Sequence, residues 1–324
     1  SYTITYSVTY NSTVISTQQS SISITYGDAA KLAITTQAAG FVNRTDFTTQ
    51  PVVEIRDSAD NKVANSTANV TISIDSGTLT GANKTVSAVN GVATFAGIGK
   101  TGTIGSKTIT FTSGSLATDS QTFTLTHGAA AQVAVTLPSS VSSGFALSAQ
   151  PIATIQDADG NTVTTSSATV VASVVAASGT SRQGLTGTTS LGATSGVVTF
   201  TNLGKTGEVG DKILTFKSTS LSDATQPFTL TYGAANKLVM TSPATSGNDT
   251  VFGTQPVVTI QDEDGNRVQD STARVTLTSG DATVGGTMLN NAVAMDAVAG
   301  IANFSGKNVK LTGLIGPREL KADS

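Results

Sequence analysis

Three closely similar heptapeptides mark the chain: Tyr26-Gly27-Asp28-Ala29-Ala30-Lys31-Leu32, His127-Gly128-Ala129-Ala130-Ala131-Gln132-Val133 and Tyr232-Gly233-Ala234-Ala235-Asn236-Lys237-Leu238. Their glycines are 101 and 105 residues apart. Self-similarity at a nearly fixed period indicates a repeat protein, in which each period is one structural unit. The sequence of 324 residues therefore predicts repeats of roughly 100 residues, the size of a small domain.

A second marker begins with Gln-Pro and follows each heptapeptide at the same distance. It reads Thr49-Gln50-Pro51-Val52-Val53-Glu54-Ile55, Ala149-Gln150-Pro151-Ile152-Ala153-Thr154-Ile155 and Thr254-Gln255-Pro256-Val257-Val258-Thr259-Ile260. Proline is tolerated at the start of a strand, and the alternation that follows it fits a half-buried strand. Further strand-like segments repeat in register at 68–74, 168–174 and 273–278, and at 91–95, 196–200 and 300–304.

The fold class follows from these short segments and the turns between them. Six or seven strands per repeat, separated by Gly-, Asn- and Asp-rich turns, are typical of an immunoglobulin-like sandwich. The abundant Thr and Val favour a pleated, half-buried surface, and no segment has the pattern of an amphipathic helix. The sequence therefore predicts an all-β protein of tandem immunoglobulin-like β-sandwich domains.

The repeat alignment also predicts domain boundaries. It gives immunoglobulin-like repeats at 27–127 and 128–232, and a repeat at 233–324 that lacks its last strand. Residues 1–26 match the last two strands of a preceding repeat. We interpret the chain as a piece of a longer array. The competing interpretation is donor-strand exchange, in which an extended segment of a neighbour completes the open sandwich. The N-terminal segment carries two strands where the third repeat lacks only one, which argues against donor-strand exchange. The mass of the native polypeptide would distinguish the two interpretations.

Composition excludes several classes of partner and chemistry. The 18 basic and 21 acidic residues give a net charge of −3, without a basic cluster that would follow a phosphate backbone, so we expect no nucleic-acid partner. The most apolar stretch, residues 168–177, is far shorter than the ~20 residues of a membrane-spanning helix, so we expect no membrane span in this segment. The absence of cysteine excludes thiolate catalysis, disulfides and zinc–thiolate sites.

We expect no enzymatic activity and assign no catalytic residue. His127 is the only histidine, and it occupies the position of a tyrosine in the other two heptapeptides, so we interpret it as a half-buried residue at a strand end. The sequence lacks a Gly-x-Ser-x-Gly nucleophile motif. The segments 99–102 and 204–207, both Gly-Lys-Thr-Gly, contain the end of a phosphate loop. They lack its first glycine and its helix, and we interpret them as connections between strands.

Carboxylates cluster in the turn after the Gln-Pro strand, which reads Asp157-Ala158-Asp159-Gly160-Asn161 and Asp262-Glu263-Asp264-Gly265-Asn266. Calcium takes six to eight oxygen ligands, and the EF-hand pattern is absent. The first repeat has Asp57-Ser58-Ala59-Asp60-Asn61, so only the turn chemistry persists in all three. We favour a hairpin turn and keep calcium as the one candidate cofactor, with the ligands Asp157, Asp159, Asp262 and Asp264. The third turn, which Asp270 follows, is the strongest candidate.

Asn-x-Ser/Thr triplets permit N-glycosylation without predicting it, because a Ser- and Thr-rich sequence produces them by chance. They occur at Asn11, Asn43, Asn65, Asn69, Asn83, Asn248 and Asn303.

The repeats resemble the immunoglobulin-like modules of large bacterial and archaeal surface proteins, in particular S-layer proteins and adhesin stalks. The resemblance is carried by strand-and-turn segments such as residues 153–161, Ala-Thr-Ile-Gln-Asp-Ala-Asp-Gly-Asn, and by the absence of the Trp and Cys of antibody domains. It implies an extracellular, cell-surface location and a structural role in an S-layer lattice or a surface fibre. The implied partners are other copies of the chain or neighbouring repeats of the same longer chain. The alternative is an adhesin stalk, or accessory binding and spacer repeats of a larger secreted protein.

Overall fold

A computed structural model of the protein describes residues 2–136, 140–147, 149–176, 183–242, 245–279, 288–290, 294–313 and 315–324. These residues contain many short strands and no helix, which confirms the prediction of an all-β protein. No helix long and apolar enough to cross a membrane occurs in this described part of the chain.

Two compact units make up the structure. One consists of Ser1–Ala130 and Asp157–Val163, and the other of Ala131–Gln156 and Thr164–Ser324. The short segment Asp157–Val163 thus belongs to the first unit, although the repeat alignment assigns it to the second repeat. The boundaries after residues 26, 127 and 232 stay predictions.

A β-hairpin begins the first unit. Its strands are β1 (Tyr2–Tyr10) and β2 (Thr13–Ile22), joined by Asn11 and Ser12 with positive φ. Tyr10 pairs with Thr13, whereas the residue aligned with Tyr10, Phe111, pairs with Asp119. The face of β1 that carries Tyr10 is exposed, and without a buried face the tight turn sets the register.

The first sandwich follows, with a four-stranded sheet in the order β11-β10-β5-β7, a three-stranded sheet β3-β4-β8 and the pair β6-β9. Its strands are β3 (Ala29–Thr36), β4 (Val52–Asp57), β5 (Asn69–Ile74), β6 (Thr78–Thr80), β7 (Thr85–Ser87), β8 (Val92–Thr94), β9 (Gly99–Thr101), β10 (Gly105–Thr112) and β11 (Asp119–Leu125).

The second sandwich repeats this arrangement in the sheets β13-β22-β21-β16-β18, β12-β15-β19 and β14-β20-β17. Its strands are β12 (Gln132–Thr136), β13 (Ser140–Ser142), β14 (Phe145–Ala146), β15 (Ile152–Gln156), β16 (Thr169–Ala176), β17 (Gln183–Thr186), β18 (Ser190–Gly192), β19 (Val197–Thr199), β20 (Gly204–Gly207), β21 (Gly210–Lys217) and β22 (Ala224–Thr231).

The third sandwich has the sheets β23-β24-β28, β27-β25-β30 and β26-β29. Its strands are β23 (Lys237–Thr241), β24 (Val257–Gln261), β25 (Arg274–Ser279), β26 (Met288–Asn290), β27 (Met295–Asp296), β28 (Ile301–Asn303), β29 (Lys310–Thr312) and β30 (Leu320–Asp323).

Apolar side chains of facing sheets form the core of each sandwich. In the first, Ile55 on β4 and Phe111 on β10 belong to one cluster and are fully buried. The ring centroids of Phe95 and Phe111 are 5.4 Å apart. In the second sandwich those of Phe200 and Phe216 are 5.6 Å apart. Burying each such side chain contributes about 1.5–3 kcal/mol, so the inward-facing residues of the alternating strands stabilise the packing of the sheets.

The glutamine side chain of each Gln-Pro marker bonds to the backbone of two other segments of its sandwich. Gln50 Nε2 donates to the carbonyl oxygens of Phe47 and Ile98 at 2.8 and 2.9 Å, and its Oε1 accepts from Ile98 N at 2.9 Å. Gln150 and Gln255 make the matching bonds. The side chain thereby satisfies backbone groups at the end of the β9-type strand, beside the candidate site.

Candidate functional site

One aspartate organises the same turn in all three repeats. Asp57 Oδ1 accepts from Ala59 N and Asn61 N at 2.9 and 2.8 Å, and Oδ2 accepts from Gly27 N at 2.7 Å. Asp157 repeats these bonds with Asp159, Asn161 and Gly128. Asp262 accepts from Asn266 N and Gly233 N. The carboxylate ties the turn to the backbone N–H of the heptapeptide glycine.

The fourth residue of each turn has a left-handed backbone, as the sequence predicts. Its φ is 68° at Asp60, 82° at Gly160 and 91° at Gly265. Aspartate adopts this conformation more readily than most residues, so the first repeat keeps the turn without glycine. We call the five-residue segments 57–61, 157–161 and 262–266 the Asp–Asn turns.

The second Asp–Asn turn binds residues of the first sandwich within the first unit. Asn161 Nδ2 donates to Gly102 O at 2.9 Å, and Ile104 N donates to Asn161 Oδ1 at 3.1 Å. Asn161 is buried, whereas Asn61, the matching residue of the first turn, is exposed. The side-chain amide of Asn161 therefore donates one hydrogen bond to the backbone of the first repeat and accepts one from it, as the backbone of a neighbouring strand would.

Asp159 forms the second part of this contact. Its Oδ2 accepts from Asn43 Nδ2 at 2.8 Å, Arg44 Nε at 3.0 Å and Gly102 N at 3.1 Å, and its Oδ1 accepts from Arg44 Nη2 at 2.7 Å. Asn43 is fully buried, and its Nδ2 also donates to Asp157 Oδ2 at 2.8 Å. The two carboxylates are thus surrounded by donors from the end of one sandwich.

The third Asp–Asn turn makes the same contact with the second sandwich inside the second unit. Asn266 Nδ2 donates to Gly207 O at 2.9 Å, and Val209 N donates to Asn266 Oδ1 at 3.0 Å. Asp264 Oδ2 accepts from Gly207 N at 2.9 Å and from Ser143 Oγ at 2.5 Å. Ser143 replaces Asn43 as the side-chain donor to the second acid of the turn, and the bonds of the turn asparagine to the backbone are the same as in the first joint.

We call this arrangement the joint. On one side is an Asp–Asn turn, and on the other a docking site. The docking site consists of Asn43, Gly102 and Ile104 in the first sandwich, and of Ser143, Gly207 and Val209 in the second.

The heptapeptide glycines allow the docking site to approach closely. A Cβ added at Gly128 would lie 2.7 Å from Asn43 O, and one added at Gly233 would lie 2.3 Å from Ser143 O. The nearest atom to a Cβ at Gly27 is Asp57 Oδ2, at 3.6 Å. Glycine is therefore required at 128 and 233 by the joint itself, and at 27 no such contact is present among the described residues.

Electrostatics favour the ionised form of the turn carboxylates. Desolvation by burial is the largest influence on Asp157 and raises its pKa, but the hydrogen bonds from Gly128, Asn43 and Asn161 outweigh it and lower the pKa. The pKa of Asp262 is lowered in the same way, against desolvation, by Gly233 and Asn266. At Asp57, hydrogen bonds from Asn61 and Gly27 lower the pKa to about 2.

Arg44 and Asp159 form the one ion pair of the first joint. The hydrogen bond from Arg44 is the main cause of the lowered pKa of Asp159, and it raises the pKa of Arg44 in turn. At the second joint Gly144 stands in the place of Arg44. The ion pair is therefore specific to the first joint, and the amide bonds are common to both.

A fully buried lysine lies under each docking site. Lys100 on β9 and Lys205 on β20 are 0% exposed, and each Nζ donates to the carbonyl oxygen of the next residue, Thr101 or Thr206. Desolvation lowers the pKa of both lysines. The negative charge of Asp159 beside Lys100, and that of Asp264 beside Lys205, partly opposes this lowering. The third sandwich has Leu311 at this position of β29, opposite Leu289.

The four carboxylates proposed as calcium ligands lie in the joints. Nitrogen and hydroxyl donors, rather than further oxygen ligands, contact Asp157, Asp159 and Asp264. Among the residues that the structure describes, no three His, Asp or Glu side chains are grouped to hold a metal ion. The geometry favours the turn interpretation, and calcium binding stays an untested hypothesis.

The seven candidate glycosylation sites differ in exposure. Asn43 is 0% exposed and uses both Nδ2 hydrogens in the first joint, so a glycan there would displace Asp157 and Asp159. This candidate is excluded for the folded joint. The other six asparagines are exposed: Asn11, Asn65, Asn69, Asn83, Asn248 and Asn303.

Sequence analysis misinterpreted one signal. The Gly-Lys-Thr-Gly segments were interpreted as connections between strands, but they form strands β9 and β20, and their last glycines belong to the docking sites. Their recurrence, together with that of the Asp–Asn turn, was the available clue. His127 is half-buried, as expected, and its Nδ1 lies 2.9 Å from Gly128 O.

Comparison with known proteins finds distant structural likeness only. No protein-family model matches the chain, and no curated protein matches it. Invasin, a bacterial integrin-binding protein, has a TM-score of 0.31 at 14% identity, with 88% of this chain and 60% of that chain covered. Domains 4–9 of the surface-layer protein SbsC give 0.26 at 16% identity, with 93% and 50% covered.

A β-glycosidase from Bacteroides vulgatus gives a TM-score of 0.27 at 14% identity, over 63% of this chain and 25% of that chain. The chain thus spans about a quarter of the glycosidase and half of the SbsC fragment. TM-scores this far below 0.5 carry no argument about function, so the function is argued from the joints.

Proposed function

We propose that the chain is a structural, non-enzymatic segment of a prokaryotic cell-surface protein, which builds an S-layer lattice or an extracellular fibre. The observation that carries the proposal is the recurrence of the joint. Two docking sites hold two Asp–Asn turns through the same pairs of hydrogen bonds, Asn161 with Gly102 and Asn266 with Gly207. A contact that recurs with the same bonds in two successive repeats supports a mechanical function.

Each joint holds an Asp–Asn turn in its docking site by hydrogen bonds. Each uses two bonds of a side-chain amide to backbone, Nδ2 to a glycine carbonyl and Oδ1 from a residue two positions on, and each hydrogen bond contributes about 0.5–1.5 kcal/mol net. Buried polar groups that lose their partners cost more than this. Separating an Asp–Asn turn from its docking site therefore carries a free-energy cost.

The catalytic alternatives have little support in the chain. The Asp–Asn turns place carboxylates against N–H donors, which lower the pKa of Asp57, Asp157 and Asp262. A general acid in glycoside hydrolysis needs a raised pKa instead. Lowered values suit permanent hydrogen-bond acceptors in a structural contact.

Electron microscopy of the native cell surface, with antibodies raised against the full chain, tests the proposal. We expect gold label in an ordered array or along surface fibres, and none on cells from which the gene has been deleted. Isolated fibrils that end in a separate binding domain would favour the alternative, an adhesin stalk or accessory spacer repeats. Label confined to the cell interior would overturn the proposal.

A further inference from the structure

A single peptide group lies between the buried lysine and the acid of the docked turn in the first joint. Lys100 Nζ donates to the carbonyl oxygen of Thr101. The nitrogen of the same peptide group, Gly102 N, donates to Asp159 Oδ2 at 3.1 Å and to Asn43 Oδ1 at 3.0 Å. The lysine and the aspartate are thus connected through two hydrogen bonds and one amide.

The second joint repeats this series of bonds. Lys205 Nζ donates to the carbonyl oxygen of Thr206. The nitrogen of the same peptide group, Gly207 N, donates to Asp264 Oδ2 at 2.9 Å. The arginine of the first joint is replaced by glycine in the second, so the series of bonds does not depend on that ion pair.

The two hydrogen bonds of this peptide group strengthen each other. An ammonium group that donates to the carbonyl oxygen draws electron density toward that oxygen, which makes the N–H of the same amide a stronger donor. An ionised carboxylate gains more from this than a neutral acceptor does, because hydrogen bonds to charged groups are roughly twice as strong as neutral ones. We therefore expect a lysine on one side of the amide to favour an ionised acid on the other side.

The charges around the lysine support the same preference. Lys107 opposes the charged form of Lys100, whereas the carboxylates of Asp159 and Asp75 favour it. The lysine and the aspartate at the matching positions of the second joint act on Lys205 in the same two directions. In both joints the acid of the docked turn therefore offsets part of the cost of burying the ammonium group.

The strand that carries the lysine does not require it. Lys100 lies opposite Leu79 in the strand pair β6-β9. In the matching strand pair of the third sandwich, Leu311 lies opposite Leu289. An apolar side chain thus occupies the same position without a charge to desolvate, so packing alone does not explain the lysines of the two joints.

We propose that Lys100 and Lys205 are specificity-determining residues of the joints, which favour a turn with an ionised aspartate at its third position over a turn with a neutral residue there. Each lysine acts through the peptide group to which it donates. Desolvation of the ammonium group opposes its attraction for the acid, so the lysine changes the difference between an acidic and a neutral turn rather than the total stability. The same selectivity would operate in a lattice, a fibre or an adhesin stalk.

A double-mutant cycle at the second joint tests this selectivity, with amide hydrogen exchange of the full chain as the readout. Val209 N donates to Asn266 Oδ1 across the joint, so its exchange rate measures how often the turn leaves the docking site. Asp264→Asn removes the charge and keeps the shape of the side chain. We expect it to speed exchange at Val209 about tenfold or more in the parent chain, and less than about threefold in the Lys205→Met background.

Lys212→Met is the matched control, because Lys212 is also a buried lysine of the second sandwich. In its background the effect of Asp264→Asn should stay at about tenfold. Lys205→Leu, which introduces the residue of the third sandwich, gives a second background, and circular dichroism checks that each variant folds. An equal effect of Asp264→Asn with and without Lys205 would overturn the selectivity. Rapid exchange at Val209 in the parent chain would overturn the joint itself.

Discussion

Asn161 Nδ2 lies 2.9 Å from the carbonyl oxygen of Gly102, a residue 59 positions earlier in the chain. The pair Asn266 and Gly207 has the same separation in sequence and the same distance. One side-chain amide thus completes the backbone hydrogen bonding of the preceding repeat.

Asn161→Ala should lower the free energy of unfolding by about 1–3 kcal/mol, because it leaves Gly102 O and Ile104 N without their partner. Asn61→Ala is the matched control and should cost less, since among the described residues the Asn61 side chain bonds only with its own turn. Urea unfolding followed by circular dichroism, at concentrations where the chain is monomeric, measures both. Equal losses would contradict the contribution of the joint.

Gly128→Ala should destabilise the protein by about 1–3 kcal/mol, because its Cβ would lie 2.7 Å from Asn43 O and the backbone must shift. Gly27→Ala meets no atom closer than 3.6 Å and should change stability by less than about 0.5 kcal/mol. Thermal unfolding of the two variants gives the comparison. An unchanged stability of Gly128→Ala would contradict the prediction, because it would show that the docking site can move away from the added Cβ without a loss of free energy.

Acid should weaken the turns. The pKa of Asp57 is about 2 and those of Asp157 and Asp262 are also lowered, whereas an unfolded aspartate titrates near about 3.9. Since the folded pKa lies below the unfolded one, this stability is fully present above about pH 4 and is lost as the pH falls through the folded values. The urea concentration at the midpoint of unfolding should decrease as the pH is lowered from 5 to about 2. This decrease with pH should be less steep for Asp157→Asn.

Chelation of divalent cations should leave the melting temperature unchanged. Asp157 and Asp159 are already satisfied by Asn43, Arg44 and backbone N–H groups, so a cation is not needed to offset their charge. Scanning calorimetry with EDTA, against added calcium as the matched condition, makes the comparison. A fall in the melting temperature with EDTA would restore the calcium hypothesis.

Lys100→Met should keep or raise the free energy of unfolding, by about 0–2 kcal/mol, since replacing a buried charge with an apolar chain of similar volume is often neutral or stabilising. Leu311 fills the matching position of the third sandwich. Lys100→Ala should instead lower it by about 2–4 kcal/mol through the cavity left behind. A loss for Lys100→Met above about 1 kcal/mol would show that the ammonium group stabilises the joint.

The strands could be predicted because their signals are local. Val53 and Ile55 alternate with polar residues beside Pro51, and the pattern returns twice. The docking partners could not be predicted, since Asn61 and Asn161 stand in nearly identical sequence, and only the three-dimensional contact with Gly102 distinguishes them. A buried lysine such as Lys100 contradicts the usual exposure of that residue type, so no pattern indicates it.

Arg44, Gly144 and Asp249 occupy one position in successive docking sites and differ in charge. Recombination between repeats would therefore change which charges meet at a joint. Duplication of the third repeat would bring Asp249 against Asp264 of the copied turn, and duplication of the first repeat would leave Arg44 facing Ala59 of the copied turn. The modules are therefore not freely interchangeable. Natural variants of different length should retain each docking site with its own turn, so that the inherited unit is the boundary between two repeats rather than the repeat.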